Sequence, residues 1–343
     1  MGGRAFLQIL PKASFPRLPT FLYQKIKLRL KARLQTLYTI VEIPAEAPEK
    51  VDHGDLDFVV ARPVNSRNIV THDQVREVLG ATEVIGLDRT SNYAVLIDNE
   101  EWRDYQRTDD GNQIYFQVDV NVCTNEEEVQ SILMFHGFGD LGIIIGTIAS
   151  GCGLSIGTKG MKISNPSPDP PIHLTSSPVA IFHFLGLSTD TWKRGFSTQE
   201  AVFKFAASSR FFDPQKLVPR NASKKKAAES RTMYRNFLVW AQEQNPGVDA
   251  ICQSQDMVEE ALVQFGKKDE RDLLVRQRYE KEWMKHNFNG KLVAEWTGLG
   301  WKGVKVVMDA VRIKVGGESM LIGRRTAELK DLVGQAKDEL QLN

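Results

Sequence analysis

Cysteine is scarce in this chain of 343 residues. Cys123, Cys152 and Cys252 are far apart, odd in number, and form neither a CxxC pair nor a His–Cys zinc spacing. That excludes a disulfide framework or zinc module and points to a reducing compartment, cytoplasm or nucleus. Long apolar runs are also lacking. The best, residues 141–149, falls well short of the roughly 20 residues that span a bilayer. It reads as buried core, and no membrane partner is expected. The start carries no apolar secretory core, although its basic, acid-free character is compatible with a mitochondrial transit segment. Internal repeats are absent. So is a strong net charge: the formal value of +1 excludes a surface dominated by one sign.

The charge is nevertheless unevenly laid out. Residues 4–41 hold eight Lys or Arg and no acid, and residues 191–240 hold eleven basic residues against Glu200, Asp213 and Glu229. Such blocks suit a polyanionic partner, or form a solvated basic face.

Apolar residues at Leu22, Ile26, Leu30, Leu34 and Leu37 recur at helical spacing and predict a helix over 22–38. Residues 26–31 also alternate, which leaves a strand open there. Short β-rich runs follow at 56–60, 93–97 and 114–122, the last after a hairpin turn at Asp110-Gly111. A helix over 73–79 is capped by Thr71 or Asp73. Residues 126–150 read as one helix with glycine interruptions. The Pro/Ser-rich stretch 165–178 marks a boundary, beyond which the chain is mostly helical, with a basic linker at 220–226. The expected fold is α+β: a head over 1–165 with a small mixed sheet and helices on one side, then an α-rich, basic tail over 179–343.

In His53-Gly54-Asp55-Leu56-Asp57-Phe58-Val59-Val60, side chains alternate across a strand, so Asp55 and Asp57 share the face opposite Leu56, Phe58 and Val60. In Phe116-Gln117-Val118-Asp119-Val120-Asn121-Val122, Asp119 points away from the valines. Side by side, these strands put three carboxylates on one solvated face. Their repulsion calls for cation charge, and hard oxygen ligands with room for water and phosphate suit Mg²⁺. Two such ions activate a hydroxyl and stabilise leaving pyrophosphate. An Asp-x-Asp alone is common on exposed strands; the third aspartate, centred in an apolar run, makes the set more specific. The chain also opens Met1-Gly2-Gly3-Arg4, and paired glycines before a helix let backbone N–H groups approach a triphosphate.

This ordered set, Gly-Gly, basic helix, Gly-Asp-Leu-Asp and Val-Asp-Val, resembles the polymerase-β-type nucleotidyltransferase superfamily. Within it, Lys50-Val51-Asp52-His53-Gly54-Asp55-Leu56-Asp57, Gly139-Asp140-Leu141-Gly142 and the stretch from Gly153 to Met161 are similar to uncharacterised viral and fungal nucleotidyltransferase-like proteins. The resemblance covers residues 2–165 well and the remainder loosely. It implies Asp55 and Asp57 as ligands of two Mg²⁺ ions and Asp119 as a ligand of the catalytic ion that helps deprotonate the attacking hydroxyl. It also implies Gly2 and Gly3 as the phosphate cradle. Where the family has Ser or Thr after the glycines, this chain has Arg4, a cation able to pair with phosphate. The family also carries a strand ahead of the glycines, so the expectation is either an in-frame β-rich run upstream of Met1 or a site that has decayed.

In the tail, Lys193, Arg194, Lys204 and Arg210 lie among Trp192, Phe196, Phe203, Phe205, Phe211 and Phe212. The pattern fits a single-strand stacking surface or, with Phe196, Phe203 and Phe211 near helical spacing, helix core. Residues 288–303 resemble the small C-terminal helical unit of tRNA nucleotidyltransferases, where Lys302 and Lys305 near a helix start would meet phosphate. The linker Lys224-Lys225-Lys226 is the other candidate nucleic-acid contact. The function expected is transfer of a nucleotidyl group from an NTP to a hydroxyl, on RNA such as a tRNA 3′ end. The alternatives are a lapsed relative that only binds nucleic acid, and an enzyme modifying a protein or small molecule.

Overall fold

The computed structural model describes residues 4–65, 69–98, 101, 113–163, 171–217, 226, 229–244 and 254–342. Gly2, Gly3, Lys224, Lys225 and the expected turn at Asp110-Gly111 lie outside them. The chain divides into two compact units, one holding residues up to 163 together with 173–261, the other residues 171–172 together with 262–342. Residues 173–261, beyond most of the Pro/Ser-rich stretch, therefore belong with the head. The helices that follow that stretch are too apolar to stand apart, and they pack back onto the head.

Helix α1 (Thr20–Leu34) ends earlier than its pattern suggests, because the β-branched run Thr39-Ile40-Val41 forms strand β1 (Tyr38–Glu42) instead. Strand β2 (Asp55–Pro63), helix α2 (His72–Leu79), strands β3 (Ala81–Leu87) and β4 (Thr90–Leu96) and strand β5 (Tyr115–Val122) follow. The cap of α2 is Thr71: its hydroxyl accepts from the Gln74 N–H while the Gln74 side chain accepts from the Thr71 N–H, a reciprocal capping box. The five strands lie in the order β1-β2-β5-β4-β3. Only β2 and β5 run parallel; the other neighbours are antiparallel. The mixed α+β class is therefore as expected, with β1 and β3 added to the strands legible in the sequence.

Leu22, Ile26, Leu30 and Leu34 of α1 and Val75 and Leu79 of α2 bury against Leu56, Phe58, Val60, Val118 and Val120. The other face is not left bare. Strand β2 is apolar on both sides through Val59 and Ala61, and helix α3 (Glu126–His136) covers these two with Val129 and Ile132. Helices on one side only is thus a correction: the four-residue buried run from Phe58 to Ala61 needs cover above and below.

Residues 126–150 are two helices rather than one. Helix α3 and helix α4 (Leu141–Gly151) meet at 89°. Phe138 and Gly139 both adopt left-handed backbone angles, φ 57° and 71°, and turn the corner. Among the described residues no single helix is long and apolar enough to cross a membrane. Beyond a small hairpin of β6 (Leu154–Gly157) and β7 (Gly160–Ile163), helices α5 (Pro178–Leu185), α6 (Thr189–Arg194), α7 (Gln199–Ala207) and α8 (Thr232–Gln242) complete the first unit. Their aromatics pack on one another: Phe138 on Phe196 at 4.8 Å, Phe196 on Phe205 at 5.1 Å, Phe203 on Phe237 at 5.5 Å. Arg210 is drawn in too, over the Phe184 and Phe211 rings and paired with Glu260. The rings of the basic–aromatic pattern therefore pack mainly on one another, while Lys193, Arg194 and Lys204 stay exposed.

The second unit contains α9 (Gly290–Thr297), α10 (Trp301–Val315) and α11 (Thr326–Glu339). They close around Phe288, Val293, Val304, Val307, Val311, Leu321, Leu329 and Val333.

Candidate active site

Alternation along β2 places Asp55 and Asp57 on the same face as Val59 and Ala61. Because α3 covers only the later pair, Asp55 stays half-buried and Asp57 is open to solvent. The sheet face is closed at its other end as well. Tyr115, on the same side of β5 as Asp119, is buried with Ala94 beneath Phe6 and stacks on Phe15. Between these covers lies a polar window. In the parallel pairing, Asp57 stands opposite Asp119 and Asp55 opposite Gln117, on strands that run about 4.8 Å apart.

Sequence reasoning therefore brings Asp55, Asp57 and Asp119 together correctly on one face. Their side chains do not close into a cage: among the described residues, no three acidic, His or Cys side chains gather as an ion would require. The reason lies with Asp119, whose carboxylate accepts from Asn92 Nδ2 at 2.6 Å and from Gln117 Nε2 at 2.9 and 3.1 Å. Burial raises its pKa, against the pull of those two amides. Asp57 sits on the floor of a cleft, wetted yet crowded by protein. That crowding, with Asp119, Asp55 and Glu46 nearby, pushes its pKa up to about 7. Donor chemistry thus suits a hard cation: oxygen ligands only, and too little positive charge beside them.

The cleft, about 290 Å³ in volume, is lined by Asp55, Asp57, Glu46, Lys50, His136, Asp140 and Arg231 among others. Glu46 accepts from Tyr23 Oη and from Lys50 Nζ, the latter at 2.6 Å, and His53 Nδ1 stands 3.4 Å away. Burial alone would raise the Glu46 pKa; the contacts from His53, Lys50 and Tyr23 outweigh it and bring it to about 2. His53 is buried and its ring lies flat on Tyr23, centroids 3.7 Å apart. Asp140 is buried as well. One oxygen accepts from Arg231 Nη1 at 2.8 Å and the other from the Tyr234 N–H at 3.1 Å, capping α8, whose own N-cap, Arg231, provides no acceptor. His136 is kept toward neutral, by burial and then by Arg231.

No protein-family model matches this chain, and no curated protein matches it in sequence.

Glu46, Lys50, Asp140 and Arg231 were not foreseen as site residues. The available signal was the clustering of Lys50 with Asp55 and of Asp140 with glycines, in the stretches singled out above. Of the other expected residues, Gly2 and Gly3 lie outside the described residues, and Arg4 opens a 3₁₀ turn, Arg4–Phe6. Lys226 is exposed, as are Lys302 and Lys305 in the first two turns of α10 in the second unit.

The raised pKa of Asp57 has a measurable sign. The folded protein keeps a proton that the unfolded chain releases between about pH 4 and 7, so stability falls as pH rises through that window. Asp57→Asn removes this loss. Thermal melts without divalent cations should show the variant gaining on the parent protein from pH 5 to pH 8. A gap that is constant or shrinks with pH would contradict the assignment.

Proposed function

We propose that the chain is a Mg²⁺-dependent nucleotidyltransferase that moves a nucleotidyl group from an NTP to a hydroxyl, on RNA such as a tRNA 3′ end. The observation that carries this reading is the Asp57–Asp119 register across two parallel strands, with Asp55 and Asp57 lining a cleft that also holds Lys50 and Arg231. On this reading the head is a nucleotidyltransferase domain, Asp55 and Asp57 would hold both ions, and Asp119 would be a ligand of the catalytic one. Bound magnesium would neutralise the triphosphate and acidify the attacking hydroxyl. Asp119 takes the hydroxyl proton, the new bond forms at the α-phosphorus, and the bond to the β-phosphate breaks to release pyrophosphate. Incubating the protein with each labelled NTP, Mg²⁺ and total RNA tests this directly. Label retained on RNA is expected; none with any of the NTPs would sink it.

A second reading, a nucleic-acid-binding protein of the same fold without catalysis, is favoured by one observation: Asp119 is held by Asn92 and Gln117 rather than directed at its neighbours. Mg²⁺ separates the two. Binding to the carboxylates stabilises the folded state by mass action, so Mg²⁺ should raise the melting temperature at pH 8 in the enzyme and leave it unchanged in the binding protein.

The RNA partner is tested through the linker. Reversing Lys224, Lys225 and Lys226 to Glu should weaken RNA binding and flatten its salt dependence, by about 0.7 in the log–log slope per lost phosphate contact. NTP affinity should not change. Unaltered RNA affinity at low salt, where exposed charges are least screened, would leave the linker as a solvated surface.

A further inference from the structure

The two permanent cations of the cleft share a construction. Lys50 is fixed by Glu46, itself held by Tyr23, and Arg231 is fixed by the buried Asp140. In each case an acid beside the cation anchors it, and cation and acid both line the same cavity as Asp55 and Asp57. Arg231 remains 53% exposed although Asp140 is 10% exposed, so one end of the guanidinium is tied down and the rest of the side chain faces solvent. A planar fork oriented in this way matches phosphate oxygens in pairs, and a pinned ammonium adds a point charge.

From this arrangement we infer that Lys50 and Arg231 form the subsite for the polyphosphate of a nucleoside triphosphate. The inference rests on the nucleotidyltransferase reading and supplies a phosphate contact independent of Gly2 and Gly3. Size favours a nucleotide over a polynucleotide: at about 290 Å³ the cavity is of small-molecule scale, whereas a strand needs an extended groove. Charge fixes the order of events. The lining carboxylates Glu46, Asp55, Asp57 and Asp140 outnumber Lys50 and Arg231, so a bare triphosphate meets net repulsion. A divalent cation on Asp55 and Asp57 reverses that sign, and metal and polyphosphate enter together. Preformed orientation matters because the cations then spend no further ordering entropy on binding.

The test is calorimetric titration of the full chain with Mg²⁺ and either α,β-methylene-ATP or inorganic tripolyphosphate. Both probes should bind with Mg²⁺, and at least tenfold more weakly without it. Lys50→Gln and Arg231→Gln should each weaken both probes by on the order of 10- to 100-fold, the scale of a charge-assisted hydrogen bond. Arg231→Lys should fall in between. RNA affinity should not change. Since Arg231→Gln leaves Asp140 with a weaker partner, its melting curve is recorded alongside, and Lys50→Gln, far from α8 in sequence, carries the test if it misfolds.

Parent-like affinity for both probes in folded variants overturns the inference, as does failure of the parent chain to bind either probe. Weakened RNA binding with unchanged probe affinity overturns it in favour of a strand-binding wall. The two readings fail separately. Nucleotide transfer with an unaltered KM in Arg231→Gln removes the subsite and keeps the enzyme. Tripolyphosphate binding that depends on Arg231, without transfer to any RNA, keeps the subsite and removes the enzyme.

Discussion

Replacing Asp55 and Asp57 together by alanine is expected to abolish Mg²⁺-dependent labelling of RNA while leaving the fold intact and the metal-free protein slightly more stable. Losing a single electrostatic stabiliser costs roughly 10²–10³ in rate, and both substitutions remove ligands assigned to both ions, so the fall should exceed about 10³-fold. The stability change has the opposite sign to most mutations. Asp57 is disfavoured as a charge by its crowded position and by Asp119, Asp55 and Glu46, and neither aspartate is buried. Labelling assays and melting curves on the same preparation decide the matter. A melting temperature several degrees lower would make the pair structural, and undiminished labelling would move the chemistry elsewhere.

A comparably large effect, on stability this time, is expected from Gly139→Ala. This residue turns the corner between α3 and α4 at φ 71°, a conformation that an L side chain adopts at a cost of about 1–2 kcal/mol. A Cβ there would also stand 2.7 Å from the Ala47 Cβ and 3.0 Å from the Met233 sulfur. Ala47 cannot swing aside, since its Cβ is fixed to the backbone. Overpacking of this kind adds about 1–3 kcal/mol, for a total of about 2–5 kcal/mol. Denaturant titration should reveal it, together with weaker phosphate binding, because Gly139 precedes Asp140 and both line the cleft. A loss below about 1 kcal/mol would mean that the corner yields more easily than its contacts suggest.

Much of the head was legible in the sequence because two-residue alternation is unambiguous where one side is apolar. Leu56, Phe58 and Val60, and Val118 and Val120, fixed which way the aspartates point. The parallel register that pairs Asp57 with Asp119 was not legible, since strand partners are chosen by the whole sheet. Strand β1 was hidden by the helical spacing of Leu34 and Leu37 running into it. The corner at Phe138–Gly139 was hidden because a glycine inside an apolar run reads equally as a tolerated interruption. Asp140 and Arg231, 91 positions apart, meet only through the packing of α8 against α4, which no local pattern contains. The aromatic tail was ambiguous for a similar reason: Phe196 packs on Phe205 and Phe203 on Phe237, and sequence spacing alone cannot tell a ring exposed for stacking from one buried among rings.

The parallel contact between β2 and β5 also sets when the site can exist. Asp57 and Asp119 are about 60 residues apart in the chain yet adjacent in the sheet. Joining them closes a long loop before any local contact repays the lost entropy, and such non-local pairing is slow. The hairpin of β3 and β4 and the capped helix α2 can form on local information alone, but the carboxylate window cannot. A nascent or partly unfolded chain therefore presents separate aspartates, each with ordinary affinity for cations. The concentrated negative charge, with its electrostatic cost, appears only once β5 has docked between β2 and β4, at the stage when the rest of the sheet is in place to bear it.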